Sequence, residues 1–149
     1  MPNVGQKMNR RLRVLFVCAM NKQRSATAER IYQNDSRLEV RSAGVRSDAN
    51  RRVSEADLRW ADVVFAMERE HKSWLLTRFQ EFELPSIEVL DIPDEYEFMN
   101  PHLQEMLRMM LDPEIDSLLG EAIQNNANQV PVPTLPASVT TPAKKRRTD

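Results

Sequence analysis

Four short apolar runs alternate with segments of helical periodicity, and this alternation constrains the fold more than any other feature. The runs predict strands at residues 12–17, 38–41, 63–67 and 87–90, and the segments between them predict helices at residues 25–34, 51–60 and 69–79. Such alternation is typical of a parallel sheet, because nearly all crossovers between parallel strands are right-handed and place a helix on the sheet. We therefore expect an α/β fold: a doubly wound, four-stranded parallel sheet with helices on both faces and the first strand in the centre.

A longer helical pattern follows the fourth predicted strand. Asn100 and Pro101 are a typical N-cap and first-turn pair. The apolar positions that follow form one stripe, which we expect to pack on the sheet: Leu103, Met106, Leu107, Met110 and Leu111. Asp112–Pro113 repeats the start signal, so the pattern predicts a second helix from that point.

Composition predicts one soluble domain with flanking segments. The chain has 149 residues, of which 41% are hydrophobic and 29% charged, and this is enough for a substantial core. Residues 1–10 are polar and are expected to form a flexible arm, and residues 11–123 the domain. Residues 124–149 are rich in Pro, Thr and Asn and end in a basic stretch, Lys144–Arg147, so we expect a disordered tail.

Charge and composition also exclude several classes of protein. With 21 basic and 22 acidic residues, the net charge of -1 does not indicate nucleic-acid binding. No apolar run reaches membrane-spanning length, and Lys22 and Arg24 interrupt the only stretch that resembles a secretion signal, so we predict a cytoplasmic protein without membrane association. A single cysteine permits no intrachain disulfide. His71 and His102 lack evident partner ligands, so no metal is expected.

Cys18 directly follows the first predicted strand; five residues intervene, and Arg24 and Ser25 then open a predicted helix. We call residues 18–25 the cysteine loop. Backbone N–H groups of such a loop and of the helix N-terminus converge on one point, where they stabilise a bound phosphate or a thiolate. The spacing lets the planar Arg24 guanidinium bind two phosphate oxygens and lets the Ser25 hydroxyl donate to the sulfur. Asn21 is a residue type that tolerates left-handed backbone angles. Cys18 is therefore a candidate nucleophile; the competing interpretation is a buried structural cysteine.

These residues resemble the low-molecular-weight protein tyrosine phosphatases. The resemblance covers about residues 12–120. It rests on Val14–Cys18 with Asn21, Arg24, Ser25, Ala28 and Glu29, on Ser42-Ala43-Gly44, and on Pro93-Asp94 with Tyr96. It implies a phosphomonoester hydrolase without cofactor, in which Cys18 is the nucleophile, Arg24 binds phosphate and Asp94 is the general acid. It further implies that the phosphate-binding residues are Ala19, Met20, Asn21, Lys22, Gln23, Arg24, Ser25 and Tyr96.

The chain also departs from the family pattern. Met20 replaces a usual glycine and is expected to take left-handed angles at a cost of about 1 kcal/mol. Gln23 replaces a second loop cysteine, and Glu95 replaces the proline that follows the acid. The segment between Gly44 and Trp60 is short and lacks residues that usually wall the cleft. The substrate therefore stays open among a phosphotyrosine protein, another phosphoprotein, a small phosphate ester and a nucleic-acid terminal phosphate.

Several alternatives remain at this point. Asp91 lies three residues before Asp94 and is a rival general acid. A thioredoxin-coupled arsenate reductase would need further cysteines, and Arg24 argues against a carrier that keeps a stable phosphocysteine. The strongest rival function is a phosphate-binding or regulatory module with little or no turnover. Met20, Glu95 and the short segment after Gly44 motivate it.

Overall fold

A computed structural model describes the backbone of residues 10–127 and the side chains of residues 10–121. Within this range, four parallel strands form one sheet in the order β2-β1-β3-β4. The strands are β1 (Leu12–Cys18), β2 (Leu38–Gly44), β3 (Val63–Ala66) and β4 (Ser86–Val89), and the helices are α1 (Arg24–Tyr32), α2 (Glu55–Trp60), α3 (Arg69–Arg78) and α4 (Pro101–Ala127). The predicted α/β fold and the central position of the first strand are confirmed.

The central strand β1 is buried on both faces, because its side chains alternate between two hydrophobic clusters. Val14, Phe16 and Cys18 belong to the cluster that includes residues of α1 and α4. Leu15 and Val17 belong to the cluster that includes residues of α2 and α3. A strand segment covered on both sides is apolar at every position, which explains why Val14–Cys18 was recognisable as a continuous apolar run.

Helix α2 begins at Glu55, and the prediction that it begins at residue 51 was wrong. Ser54 is its N-cap and forms a capping box with Asp57. Arg51, which precedes the helix, forms an ion pair with the buried Asp57 carboxylate. The chain before the helix also bonds to the end of β2, since the Gly44 N–H donates to the Arg51 carbonyl at 2.8 Å. Because the capping box lies at Ser54, the helix begins four residues later than the periodicity predicted.

Helix α4 continues through Pro113, so the second helix predicted from that residue does not exist. The Asn100 side chain caps its start as predicted, accepting from the His102 and Leu103 N–H groups at 2.8 and 3.1 Å. Four fully buried residues lie four positions apart on one face, and their packing continues in phase across the proline: Leu103, Leu107, Leu111 and Ile115. This burial outweighs the hydrogen bond that Pro113 removes.

The described part of α4 ends at Ala127, four residues after the predicted end of the domain. The predicted N-terminal arm, except residue 10, and residues 128–149 of the predicted tail lie outside the described residues. Between residues 10 and 127, no helix combines the length and the apolar character needed to cross a membrane.

Candidate active site

The candidate site lies at the carboxyl edge of the sheet, where β1 ends on Cys18. The chain leaves β1 to form β2 on one side, and then crosses to form β3 on the other side. Open parallel sheets bind ligands at such a change of direction. The segment after β4 reaches the same edge, because the Ile92 N–H donates to the Met67 carbonyl at 2.9 Å. The topology therefore brings the cysteine loop and the predicted acid segment together.

The Cys18 sulfur is buried and has two polar neighbours. Its side chain is only 2% exposed, and Sγ lies 3.0 Å from the Ser25 hydroxyl oxygen. The backbone N–H of Asn21 donates to the same sulfur at 3.2 Å. Donors of this kind stabilise the anionic form of a thiol, as expected around a nucleophilic cysteine.

A chain of hydrogen bonds determines which way the Ser25 hydroxyl can donate. The Asn21 amide donates to Ser25 at 3.0 Å and to Ser42 at 2.8 Å, and the Ser42 hydroxyl donates to the Glu29 carboxylate at 2.5 Å. Because Ser25 accepts from Asn21, its own hydrogen can point either at the Cys18 sulfur at 3.0 Å or at the Ala43 carbonyl oxygen at 3.5 Å, and the sulfur is the nearer of the two. Ser42 and Glu29 received no role in the sequence analysis, although both lie in segments that resemble the phosphatase family.

The left-handed residue of the cysteine loop is Asn21, and not Met20 as expected. Its φ is 59°, while Met20 is absent from the described non-glycine residues with positive φ. Asparagine adopts this conformation more readily than most residues, and its side chain is held by the two serines described above. The replacement of glycine at position 20 therefore imposes no left-handed strain.

Helix α1 begins directly after the loop and has no side-chain cap. Gln23 occupies the N-cap position, and its side chain makes no hydrogen bond to the first turn. The N–H groups at the start of an α-helix lack partners within the helix, so the uncapped first turn offers donors to an anion. The loop and the helix start thus combine the two kinds of donor that the sequence analysis predicted.

Arg24 is buried and has polar neighbours from three different residues. Its side chain is 3% exposed, and Nη1 lies 2.8 Å from the Ile92 carbonyl oxygen and 3.1 Å from a Glu68 carboxylate oxygen. Nε lies 3.9 Å from a carboxylate oxygen of Asp94. A buried guanidinium requires such partners, because an unpaired cation loses its hydration without compensation. Glu68 was missed in the sequence, although it directly precedes α3 at the same edge of the sheet.

Of the two candidate acids, Asp94 is the one that the structure brings to Arg24. Its side chain is 60% exposed and therefore accessible to a ligand. Asp91 is exposed and has a left-handed backbone, with φ of 60°. Tyr96 is half-buried against the core, with its ring centroid 5.6 Å from that of His102. The predicted role of Tyr96 at the cleft stays a prediction.

His71 is buried close to the Arg24 guanidinium. Burial and, secondarily, the positive charge of Arg24 lower the pKa of His71 to about 4. Its Nδ1 accepts from the Glu68 backbone N–H at 3.1 Å, which closes the capping box at the start of α3. The side-chain atoms of Glu68, Glu70 and His71 that could bind a metal ion lie within 4.8 Å of one another. This is contrary to our expectation that His71 has no potential metal ligands beside it.

Gly44, at the end of β2, packs directly against the cysteine loop. A Cβ atom at this position would lie 2.5 Å from the Ala19 carbonyl oxygen, 2.7 Å from the Ala49 Cβ and 3.0 Å from the Asn21 nitrogen. The φ of Gly44 is not positive, so the requirement for glycine comes from this close approach and not from backbone conformation. The Ser42-Ala43-Gly44 motif thus supplies both a polar support and a flat surface for the loop.

Three solved structures illustrate what the chain is similar to. The YwlE arginine phosphatase from Geobacillus stearothermophilus is 25% identical with a TM-score of 0.57, and the match covers 83% of this chain and 99% of that one. YfkJ from Bacillus subtilis is 21% identical with a TM-score of 0.58, covering 74% and 96%. SP-PTP, a low molecular weight protein tyrosine phosphatase from Streptococcus pyogenes, is 14% identical with a TM-score of 0.53, covering 81% and 94%. No family model and no curated protein matches the chain.

The chain therefore has the fold of the low-molecular-weight protein tyrosine phosphatases, and the resemblance recognised in the sequence is confirmed. Its structural neighbours support a phosphatase function.

Proposed function

We propose that this protein hydrolyses phosphomonoesters through a phosphocysteine intermediate, in the manner of a protein tyrosine phosphatase. The observation that carries the proposal is the pairing of a buried, hydrogen-bonded Cys18 sulfur with a buried Arg24 cation in one loop. A nucleophile and an anion clamp placed on a strand–loop–helix unit are what phosphoryl transfer requires. The cytoplasmic location belongs to the same proposal.

In the first step, the Cys18 thiolate attacks phosphorus, so that an S–P bond forms while the bond to the leaving oxygen breaks. Arg24 and the loop N–H groups hold the equatorial oxygens, and Asp94 gives its proton to the leaving oxygen. In the second step, Asp94 takes a proton from water, the water oxygen bonds to phosphorus, and the S–P bond breaks to restore the thiolate. The position of Asp94 beside Arg24 supports this assignment.

The test is hydrolysis of an aryl phosphate as a function of pH by the wild type, Cys18→Ser, Asp94→Ala and Asp91→Ala. We expect no turnover in the cysteine variant and a loss of about 10²–10⁴-fold, together with the limb of the pH profile that requires the acid, in Asp94→Ala. Asp91→Ala is the matched control and should stay close to wild type. Full activity of Cys18→Ser would refute the proposal, and exchanged phenotypes of the two aspartate variants would reassign the acid to Asp91.

A second candidate is a phosphate-binding or regulatory module with little turnover. It is favoured by the Arg24 guanidinium, which is already bound by the Glu68 carboxylate and a backbone carbonyl. An anion must compete with these partners for the same nitrogen. Protection of Cys18 from alkylation by inorganic phosphate, combined with no hydrolysis of any aryl phosphate, would establish this alternative.

The substrate class can be tested in the same assay. The carboxylates of Glu68 and Asp94 beside Arg24 would also attract a cationic leaving group, and the Geobacillus neighbour is named an arginine phosphatase. We favour an aryl phosphate, because the resemblance includes the Asp94 and Tyr96 segment. A higher kcat/KM on phosphoarginine than on phosphotyrosine would reverse this order.

A further inference from the structure

Residues 45–50, which we call the supporting segment, run along the outer side of the cysteine loop. Four consecutive loop carbonyls, those of residues 18–21, accept hydrogen bonds from it. The Val45 and Arg46 N–H groups donate to Cys18 and Ala19, both at 3.0 Å. Asn50 supplies the other two bonds, from its backbone to Met20 at 2.9 Å and from its side-chain amide to Asn21 at 3.2 Å.

Because the loop carbonyls are bonded to the supporting segment, the geometry of the peptide group orients the N–H groups of the loop in the opposite direction, towards its interior. In a planar trans peptide, the carbonyl and the N–H point in opposite directions. A loop carbonyl that is held towards the supporting segment therefore turns the N–H of the next residue towards the interior of the loop. The peptide between Met20 and Asn21 shows both ends of this relation, since its carbonyl accepts from Asn50 while its N–H donates to the Cys18 sulfur at 3.2 Å.

We propose that Asn50 is a positioning residue of the phosphate site: its two hydrogen bonds hold the Met20 and Asn21 carbonyls outward, so that the Asn21 and Lys22 N–H groups face the bound anion. This inference rests on the proposed function. It deepens that function by assigning a role to the shortened segment after Gly44. The Asn50 side chain acts on the loop from outside and does not touch the reacting atoms.

The exposure of Asn50 makes the role testable. Asn50 lies on the surface, so a change of its side chain leaves the hydrophobic core intact. Asn50→Ala removes only the bond to the Asn21 carbonyl and keeps the backbone bond to Met20. Asn50→Asp keeps the shape but removes the donor, Asn50→Gln keeps an amide, and Asn34→Ala is a matched control at another exposed asparagine.

The experiment measures alkylation of the full chain by iodoacetamide with increasing inorganic phosphate. Because Cys18 is the only cysteine, the reaction reports on that residue alone. We expect half-protection of Asn50→Ala to need roughly two- to fivefold more phosphate than wild type, the fold-change typical of one partly exposed hydrogen bond. Asn50→Asp should need still more, Asn50→Gln should recover part of the loss, and Asn34→Ala should match wild type. The melting temperatures should agree, and kcat/KM on an aryl phosphate should fall in parallel.

Wild-type phosphate requirements in both Asn50→Ala and Asn50→Asp would overturn the inference. A lowered melting temperature without a change in phosphate protection would do the same, because it would indicate a merely structural residue. If phosphate does not protect wild-type Cys18 at all, the proposed function fails. The rate of Cys18 alkylation without phosphate still tests the role of Asn50. Slower alkylation of both variants at neutral pH would then support positioning of the Asn21 N–H against the sulfur, and equal rates would refute it.

Discussion

The close contact between Gly44 and the cysteine loop leads to a sharp prediction for Gly44→Ala. The added methyl group would lie 2.5 Å from the Ala19 carbonyl oxygen and 2.7 Å from the Ala49 Cβ. The first neighbour is backbone, so no side-chain rotation can relieve the overlap. The same carbonyl accepts from the Arg46 N–H at 3.0 Å, which ties the loop to the supporting segment. The loop and its support must therefore move together.

The size of the effect follows from the displacement. An ordinary contact between carbon and oxygen requires about 3.3–3.6 Å, so the loop must shift by about 1 Å. Overpacking of this kind destabilises by about 1–3 kcal/mol, which corresponds to a melting temperature lower by roughly 2–12 °C in a chain of this size. A catalytic loop misplaced by about 1 Å can lose about 10²-fold in activity. We therefore expect activity to suffer much more than stability.

The assay pairs thermal unfolding with kcat/KM on an aryl phosphate. Gly120→Ala is the matched control, because a Cβ at Gly120, in the interior of α4, would meet nothing within 4 Å. That substitution should stabilise the helix by about 0.5–1 kcal/mol and leave activity unchanged. If Gly44→Ala behaves like Gly120→Ala in both measurements, the packing of the loop against β2 is not as described. Loss of stability without loss of activity would also contradict the reasoning.

Two further predictions concern His71 and Pro113. The pKa of His71 is lowered from 6.5 to about 4 in the folded protein, so the unfolded chain binds the proton first as the pH falls. Between pH 6.5 and about pH 4, the free energy of unfolding therefore decreases by at most about 1.4 kcal/mol for each unit by which the pH falls. His71→Asn, which keeps an acceptor for the Glu68 N–H, should flatten this dependence in urea titrations, and parallel curves would contradict the prediction. Pro113→Ala restores a helical hydrogen bond to the Met109 carbonyl and should raise the free energy of unfolding by about 2 kcal/mol, after allowance for the more flexible unfolded chain. Unchanged or lower stability of Pro113→Ala would show that the proline is already compensated.

Much of the fold was predictable because its signals are local. From Val14 onward, strand β1 is a continuous apolar run, and Asn100 caps α4 as the sequence indicated. The boundaries that were wrong have equally physical reasons. The capping box at Ser54 delays α2, and burial of every fourth residue carries α4 through Pro113. Local start signals therefore compete with packing that only the folded chain provides.

The candidate site divides in a similar way. The spacing from Cys18 to Arg24 and the resemblance of the Asp94 segment pointed to one site, and the structure places Asp94 beside Arg24. The prediction of strain at Met20 failed, because the loop places its left-handed turn one residue later, at Asn21. Spacing along the chain identifies which residue types are present in a loop, but it does not specify the dihedral angle of each one.

The alternation of strands and helices can be inferred from the sequence alone, and so can the cysteine loop that joins β1 to α1, since both depend on residues that are neighbours in the chain. Tertiary structure decided the contacts of that loop: the Ser42 hydroxyl on Glu29, the Glu68 carboxylate on Arg24, and the Asn50 donors on the loop carbonyls. These partners are far apart in the chain: 13 residues separate Glu29 from Ser42, and 44 separate Arg24 from Glu68. They meet because parallel strands end at one edge of the sheet, where strand register and side-chain reach select which polar groups touch.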